Sequence, residues 1–515
     1  MPRARRFAAL FTMTMAAACG GTTVETASRV EPTPAPAAPV APAPTLAERV
    51  EVDNIAVLQG TTVTLVEDAT ATKKRNAPVI AGRPALVRVH ARSLDAKGRL
   101  PKLGAELRVS TPGKDDVVVR EAPKPMLALD DSDLDTTFNF ELDATVLVPA
   151  SALSVTLADP SAADDLATFP TDGTSFAIGA RDDAPTLRVR FVPVRYDQDG
   201  SGRLPGLDAA TIEAHRRALY TMYPTRTVQI DVRAPLPWPS AVEATGQGWD
   251  ELLNAIVETR RTDLVDDDVF YVGVFAPKAS VDEYCGNGGC ILGVAPAAQI
   301  EEVGLRVAMV VGYDTYGAEG TLAQELAHAM GREHAPCGGP DGPDPKYPYV
   351  NAHIGVAGWN ILDKTLIDPN GRSKDFMSYC GPVWISDYTY DGLYKRMVDV
   401  AKTNRKRSGG GPTAGGSGSG GAGATTTRVR SYLVKADGSL VEGALVDIVP
   451  SAPASTDITM RYEDASGRTI SVANAAYRRY DSLRGGILLA PDAPSGATRA
   501  RVNGLSVRPL DLRSR

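Results

Sequence analysis

Five residues within one short stretch are of types that together do hydrolytic chemistry: Gln324, Glu325, His328, Gly331 and His334. On a helix, positions 324 and 328 share a face, while Glu325 is turned by about 100° from its neighbour. Such a face can hold a metal ion and leave the carboxylate free to act on a water bound to it. Zinc lowers the pKa of its water to about 7, and an adjacent carboxylate takes the proton as the water attacks a polarised carbonyl. Gly331 lets the helix end in a left-handed turn, which brings His334 back towards the same point.

Gln324 departs from this pattern, because it offers a neutral amide oxygen where zinc prefers imidazole nitrogen or thiolate sulfur. Even an outer partner of a ligand is worth about 10–100-fold in affinity, so the change predicts weakened zinc binding of at least that order. Thr321-Leu322-Ala323-Gln324 also fits the S/T-x-x-E/Q capping box, which would open the helix at Thr321. His353, in the loop Asn351 to Gly355, is a lesser alternative ligand without supporting spacing. His90, in a strand-like run, and His215, in an amphipathic helical run, are read as structural.

A second group follows in Asp375-Phe376-Met377-Ser378-Tyr379-Cys380. With the first it resembles the metzincin zinc metalloproteases, whose metal string is followed by a methionine-containing turn. The resemblance covers about residues 183 to 405 and implies an α/β catalytic domain, a twisted mixed sheet carrying an active-site helix. It implies Glu325 as the base, His328 and His334 as the second and third zinc ligands, and Gln324 where the first histidine stands. Met377 takes the place of the turn methionine, and Tyr379 that of an extra ligand or oxyanion donor. Segments 331–339 and 384–388 resemble secreted bacterial peptidases, a mucin-degrading branch among them.

The resemblance also makes Gly293-Val294-Ala295 an edge strand that pairs with an extended substrate, although the run reads equally as plain sheet core. The function implied is that of an exported zinc metalloendopeptidase acting on proteins or glycoproteins. The alternative is a pseudoprotease, impaired by Gln324, that binds proteins or glycoproteins at the cell surface. A third reading leaves the function to flanking adhesive β domains.

One further cluster bears on metals: Asp197, Asp199, Ser201 and Asp208, with Gly202 at loop position 6, space their oxygens as calcium loops do. Its setting between a strand and a helix also suits an ordinary turn ended by an aspartate cap.

The elements that must position these groups are spread along 515 residues, a length that suggests roughly three or four domains of about 150 residues each. Residues 1–19 read as a lipoprotein signal peptide: Arg3, Arg5 and Arg6 precede a short apolar run, and small residues lead to Cys19 as the lipidation site. Cleavage after Ala18 with a free thiol is the alternative. Residues 20–48 are a Pro/Ala-rich spacer and 49–182 a β-sandwich of immunoglobulin-like sort, as in Ala85–His90 and Phe138–Leu142. Residues 183–405 alternate strand and helix, 406–427 form a Gly/Ser linker, and 428–515 a small β accessory domain with no concentration of catalytic residue types. The expected whole is therefore a multidomain chain in which β-sandwich domains flank an α/β one.

A net charge of −7 excludes the electrostatics of a nucleic-acid binder, and membrane contact is expected only through a lipid anchor at an outer membrane or cell surface. With Cys19 set aside, Cys285, Cys290, Cys337 and Cys380 remain, an even number in a chain expected to be exported. Three pairings are open, one of them Cys285 with Cys290 and Cys337 with Cys380.

Overall fold

The computed structural model describes residues 44–94, 102–162, 164–286, 289–313, 318–408, 426–449 and 457–512. The leader with Cys19, nearly all of the Pro/Ala spacer, and the Gly/Ser linker from residue 409 to 425 lie outside the described residues. Among the described residues six sheets account for most of the regular structure, with few helices.

Strand alternation builds the N-terminal part. In Leu103–Ser110 every second residue is buried, and Val57, Val87 and Phe140 from one sheet share a core with Leu107, Val155 and Leu157 from the other. The first sheet holds Val50–Leu58, Gly60–Glu67, Ala85–Ser93 and Phe138–Leu142; the second centres on Leu103–Ser110 and Ala152–Ala158. The first does not end at the expected boundary near residue 182. Gly358–Asn360 pairs with Gly60 and Thr61 and is joined by Thr365–Ile367, so a hairpin from the central region extends the N-terminal sheet. His90 is structural: Nδ1 lies 2.6 Å from Asp53 Oδ1 and Nε2 3.0 Å from the Leu127 carbonyl.

The central sheet runs Val228–Val232, Leu187–Tyr196, Val269–Phe275, Val307–Val311 and Gly293–Val294, with Leu236–Trp238 also paired to Leu187–Tyr196. All its pairs are parallel except the last, where Gly293 and Val294 lie antiparallel to Val310 and Met309 at one edge. Val269–Phe275 is buried at every position, as a strand covered on both faces must be. Phe270, Val272 and Val274 pack with Leu322 and Leu326 of helix Glu319–Ala329, and Tyr271 and Phe275 pack with Leu252 and Ile256 of helix Trp249–Thr262. The edge strand expected over Gly293-Val294-Ala295 is two residues long, Gly293–Val294.

The C-terminal residues form two four-stranded sheets around Tyr432, Met460, Tyr462 and Leu488. They do not stand apart as an accessory body. On strand Thr427–Val434, Val429 and Leu433 join the core behind the central sheet, while Tyr432 and Val434 face their own second sheet. The Asn254 side-chain oxygen accepts the Ala444 N–H at 2.8 Å, Lys435 pairs with Asp250 at 2.7 Å, and Arg478 with the buried Glu302 at 2.7 Å. This docking puts the hairpin between Ala476–Arg479 and Gly486–Ala490 next to the motif helix.

Candidate metal centre

Helix Glu319–Ala329 presents the first part of the site. It begins earlier than the capping-box pattern implies: Ala318 is the N-cap and makes no side-chain cap, so Thr321 lies inside the first turn. Tertiary contacts hold the helix instead. The Tyr223 hydroxyl donates to the Ala323 carbonyl at 2.6 Å, and the Tyr223 ring stacks on Phe376 with centroids 6.0 Å apart.

The helix ends as Gly331 requires. Gly331 takes φ +77°, its N–H donates to the His328 carbonyl at 2.7 Å, and the Arg332 N–H donates to the Ala327 carbonyl at 2.9 Å. These two bonds are the Schellman pair, which turns the chain sharply off the helix axis. A side chain at Gly331 would run into the Arg396 guanidinium, which itself donates to the carbonyls of Met330 and Ala298.

The turn brings the His334 ring to 4.5 Å from that of His328, edge to face. His328 Nδ1 lies 2.7 Å from the Arg332 carbonyl, which can only accept, so Nδ1 carries the proton and Nε2 keeps its lone pair. Burial pushes the pKa of both histidines down, for His334 with the neighbouring His328 as second cause, which favours the neutral ligand form. Nε2 of His328 and of His334 are both buried with no hydrogen-bond partner.

The second group lies against the first. The Ala335 N–H donates to the Met377 carbonyl at 2.9 Å and the Tyr379 N–H to the Cys337 carbonyl at 3.0 Å. A Cys337–Cys380 disulfide fastens the two segments, and Cys285 with Cys290 closes the other bridge. The fully buried Asp375 carboxylate accepts from the N–H groups of Met377 and Ser386 and from the Ser386 hydroxyl, fixing the turn around Met377. The Tyr379 ring stands edge to face with His334 at 4.9 Å, and its phenol pKa is pushed up to about 12, mainly by burial.

Glu325 is 2% exposed, and its Oε2 has no partner. It lies directly beneath the edge strand, for a Cβ at Gly293 would fall 2.5 Å from Glu325 Cγ and Oε1. Burial, and then the neighbouring Asp481 carboxylate, hold the Glu325 pKa well above the usual carboxylate range. Gln324 is half-buried, and its Nε2 is buried without a partner. A cleft of about 620 Å³ opens beside Gln324 and Glu325, walled by Leu292 and Gly293 on one side and by Ser378–Val383 on the other.

The residue that sequence reasoning missed is Asp481. It sits at the hairpin tip of the C-terminal part, and one of its carboxylate oxygens and a ring nitrogen each of His328 and His334 all lie within 4.8 Å of one another. Tyr480 bridges Pro296, and the Ala295 N–H donates to Asp481 Oδ1 at 2.8 Å, so the hairpin already lies along the continuation of the edge strand. Ser482 borders both the 620 Å³ cleft and a second cavity of about 710 Å³, so the hairpin tip stands between the two. The only local signal is a lone acidic residue ahead of the turn glycines Gly485 and Gly486.

Two other candidates are not brought here. His353 faces Lys374 Nζ at 3.0 Å and lies outside the His328–His334–Asp481 group. In the acidic loop, Asp197 pairs with Arg195, Asp199 with Arg203 and the Ser201 hydroxyl, and Asp208 caps helix Ala209–Met222 through the Thr211 N–H. Those oxygens serve arginines and a helix end, and among the described residues the group of histidine, cysteine and carboxylate side chains close enough to share an ion is the one at His328.

No family model matches the chain, and no curated protein does. Among solved structures it is similar, over 44% of its own length and 28% of the other chain, to a cycloisomaltooligosaccharide glucanotransferase from Paenibacillus sp., with 10% identity and a TM-score of 0.14. A calcium binding mutant of beta-glucuronidase 2 from Bacteroides uniformis is similar over the same shares, 44% and 28%, with 12% identity and a TM-score of 0.13. Likenesses this slight carry no argument about this chain.

Proposed function

We propose that the protein is an exported zinc-dependent metalloendopeptidase of metzincin type, acting on proteins or glycoproteins. One observation carries the reading: His328 and His334 lie buried with both Nε2 atoms unpartnered, and the buried Glu325 of the same helix, its Oε2 unpartnered, borders an open cleft. Buried polar atoms are nearly always paired, so two orphaned imidazole nitrogens on rings 4.5 Å apart, with an orphaned carboxylate oxygen on the same helix, suit a divalent cation and its water.

When bound, zinc supplies Lewis acidity and a water acidified to a pKa of about 7. His328 and His334 would hold it through Nε2, with His328 oriented by its bond to the Arg332 carbonyl. Glu325, which borders the cleft, would accept a proton from the attacking water and return it to the leaving amine, the cation's charge offsetting the burial that otherwise keeps this carboxyl protonated. The Tyr379 phenol, protonated throughout the neutral range, donates to the oxyanion that forms on the substrate carbonyl. The backbone at Leu292 and Gly293 borders the cleft, where an extended peptide adds alongside.

The two disulfides agree with an oxidising compartment. Among the described residues no helix is long and apolar enough to cross a membrane, and attachment through a lipid on Cys19, at an outer membrane or cell surface, belongs to the same proposal. Metabolic labelling with palmitate tests it, and label that persists without Cys19 removes it.

A second reading has its own support. Gln324 stands where a histidine is expected, and Tyr480 and Asp481 lie along the backbone at Ala295 and Pro296. On that reading the chain is a pseudoprotease that binds proteins or glycoproteins. Zinc content and casein hydrolysis of the purified chain decide between them. One equivalent of zinc, with cleavage abolished in Glu325→Ala, supports the peptidase; zinc without cleavage under any condition leaves the binding module.

A further inference from the structure

We propose that Asp481, carried by the C-terminal β part, is the third protein ligand of the metal centre and does the work that Gln324 cannot. The inference rests on the reading of His328 and His334 as ligands. It makes the C-terminal residues part of the site.

Geometry is the first support. Asp481 Oδ2 stands 3.7 Å from His328 Nε2, with side-chain exposures of 1% and 2%. That separation is too long for a hydrogen bond. It is close to the roughly 3.4 Å that separates two donors each about 2.0–2.1 Å from one tetrahedral ion. All three ligand atoms fit within 4.8 Å of one another.

Charge is the second. The ion-pair partner of Asp481 among the described residues is His328, and Glu325 lies against Asp481 as well. The Nε2 lone pairs of His328 and His334 have no donor beside the buried Asp481 carboxyl group. A divalent cation satisfies both lone pairs and the carboxylate together. A set of two imidazoles and one carboxylate is, moreover, an established donor set for catalytic zinc with one position left open.

Positioning is the third. Asp481 Oδ1 accepts the Ala295 N–H at 2.8 Å and Oδ2 accepts the Ser482 hydroxyl at 2.6 Å, so its carboxylate is oriented from both sides, as a ligand must be. The Tyr480–Pro296 bridge fixes the hairpin tip against the central sheet. The Ser482 hydroxyl also meets the Tyr379 phenol at 3.3 Å, tying the same tip to the turn that bears Met377.

The test is equilibrium zinc binding, by competition with a chromophoric chelator, on the full-length wild type, Asp481→Ala, Asp481→Asn, and the double variant Gln324→His with Asp481→Ala. Cobalt loading adds a spectroscopic signature of coordination. One equivalent is expected in the wild type, with affinity lowered at least about 100-fold in Asp481→Ala and Asp481→Asn, beyond the range of an outer partner, and recovered in the double variant. Thermal melting of the metal-free proteins controls for folding, and Asp481→Asn keeps the shape of the tip. Wild-type affinity and an unchanged cobalt spectrum in both single variants would overturn the inference and leave the two-histidine reading standing. Absence of zinc from the wild type and from the double variant would remove that reading and the inference together.

Discussion

Replacing Gly293 with alanine tests how closely the edge strand is fitted to Glu325. The three atoms nearest to a Cβ at this position are Glu325 Cγ, Oε1 and Cδ, at 2.5, 2.5 and 2.7 Å. Contacts under 3.0 Å force a shift, and here the obstacle is one side chain on a helix packed against the central sheet. Overfilling a packed interior by one methyl costs about 1–3 kcal/mol. Glu325→Ala removes all three obstructing atoms, so the clash disappears in the double variant. A cycle of wild type, both single variants and the double should therefore return a coupling energy of about 1–3 kcal/mol, against the roughly 0.3–0.5 kcal/mol expected of independent sites. The assay is denaturant titration, comparing midpoints at unchanged slope. Coupling below about 0.5 kcal/mol would refute the claim that Gly293 is required by Glu325. If the site is catalytic, Gly293→Ala should also lower kcat by about 100-fold, the effect of displacing a reacting group by about 1 Å.

Gly331→Ala forces a left-handed φ of +77° on an L side chain and drives its Cβ into Arg396, so it should destabilise by more than about 1 kcal/mol and weaken zinc binding, read by melting and chelator competition. The Cys337–Cys380 bridge closes a sequence separation of 43 residues, for which chain entropy gives about 4 kcal/mol; Cys337→Ser with Cys380→Ser should lose about 2–4 kcal/mol in denaturant titration, and an unchanged midpoint would argue against the bridge. Burial alone lowers the His90 pKa, but its contacts with Asp53 and the Leu127 carbonyl outweigh that and raise it. The raised value means that the stability His90 adds over His90→Gln is complete below the unfolded pKa of about 6.5 and falls as pH rises through the folded value; a difference that grows with pH would contradict this. Glu325→Gln keeps the helix and both histidines and should retain zinc by metal analysis while losing casein hydrolysis.

What was legible in the sequence follows physical range. Local spacing was enough for the motif helix, its left-handed end at Gly331, the Asp208 cap and the strands at Ala85 and Phe138, because each depends on residues a few positions apart. The capping box at Thr321 misled because helix starts depend on packing as well as on caps: Tyr223 and the sheet hold the helix from Glu319 onward. The hairpin 358–367, which extends the N-terminal sheet, pairs with Gly60 and Thr61 across a separation that no local pattern encodes.

Asp481 is the clearest case. Its place beside His328 depends on the docking of strand Thr427–Val434 behind the central sheet, itself set by alternation of Val429 and Leu433 with Tyr432 and Val434. The departure at Gln324 from the expected zinc string marks where a donor would be lacking, but that Asp481, one of 62 acidic residues, lies beside His328 is decided by tertiary structure.

The most direct test of the central claim, that this point holds a metal, is anomalous diffraction at the zinc edge on crystals of the purified protein. A single peak within bonding distance of His328 Nε2 and His334 Nε2, beside Glu325, is the expected result. No peak after zinc soaking, or a peak elsewhere with both imidazoles still unpartnered, would contradict it.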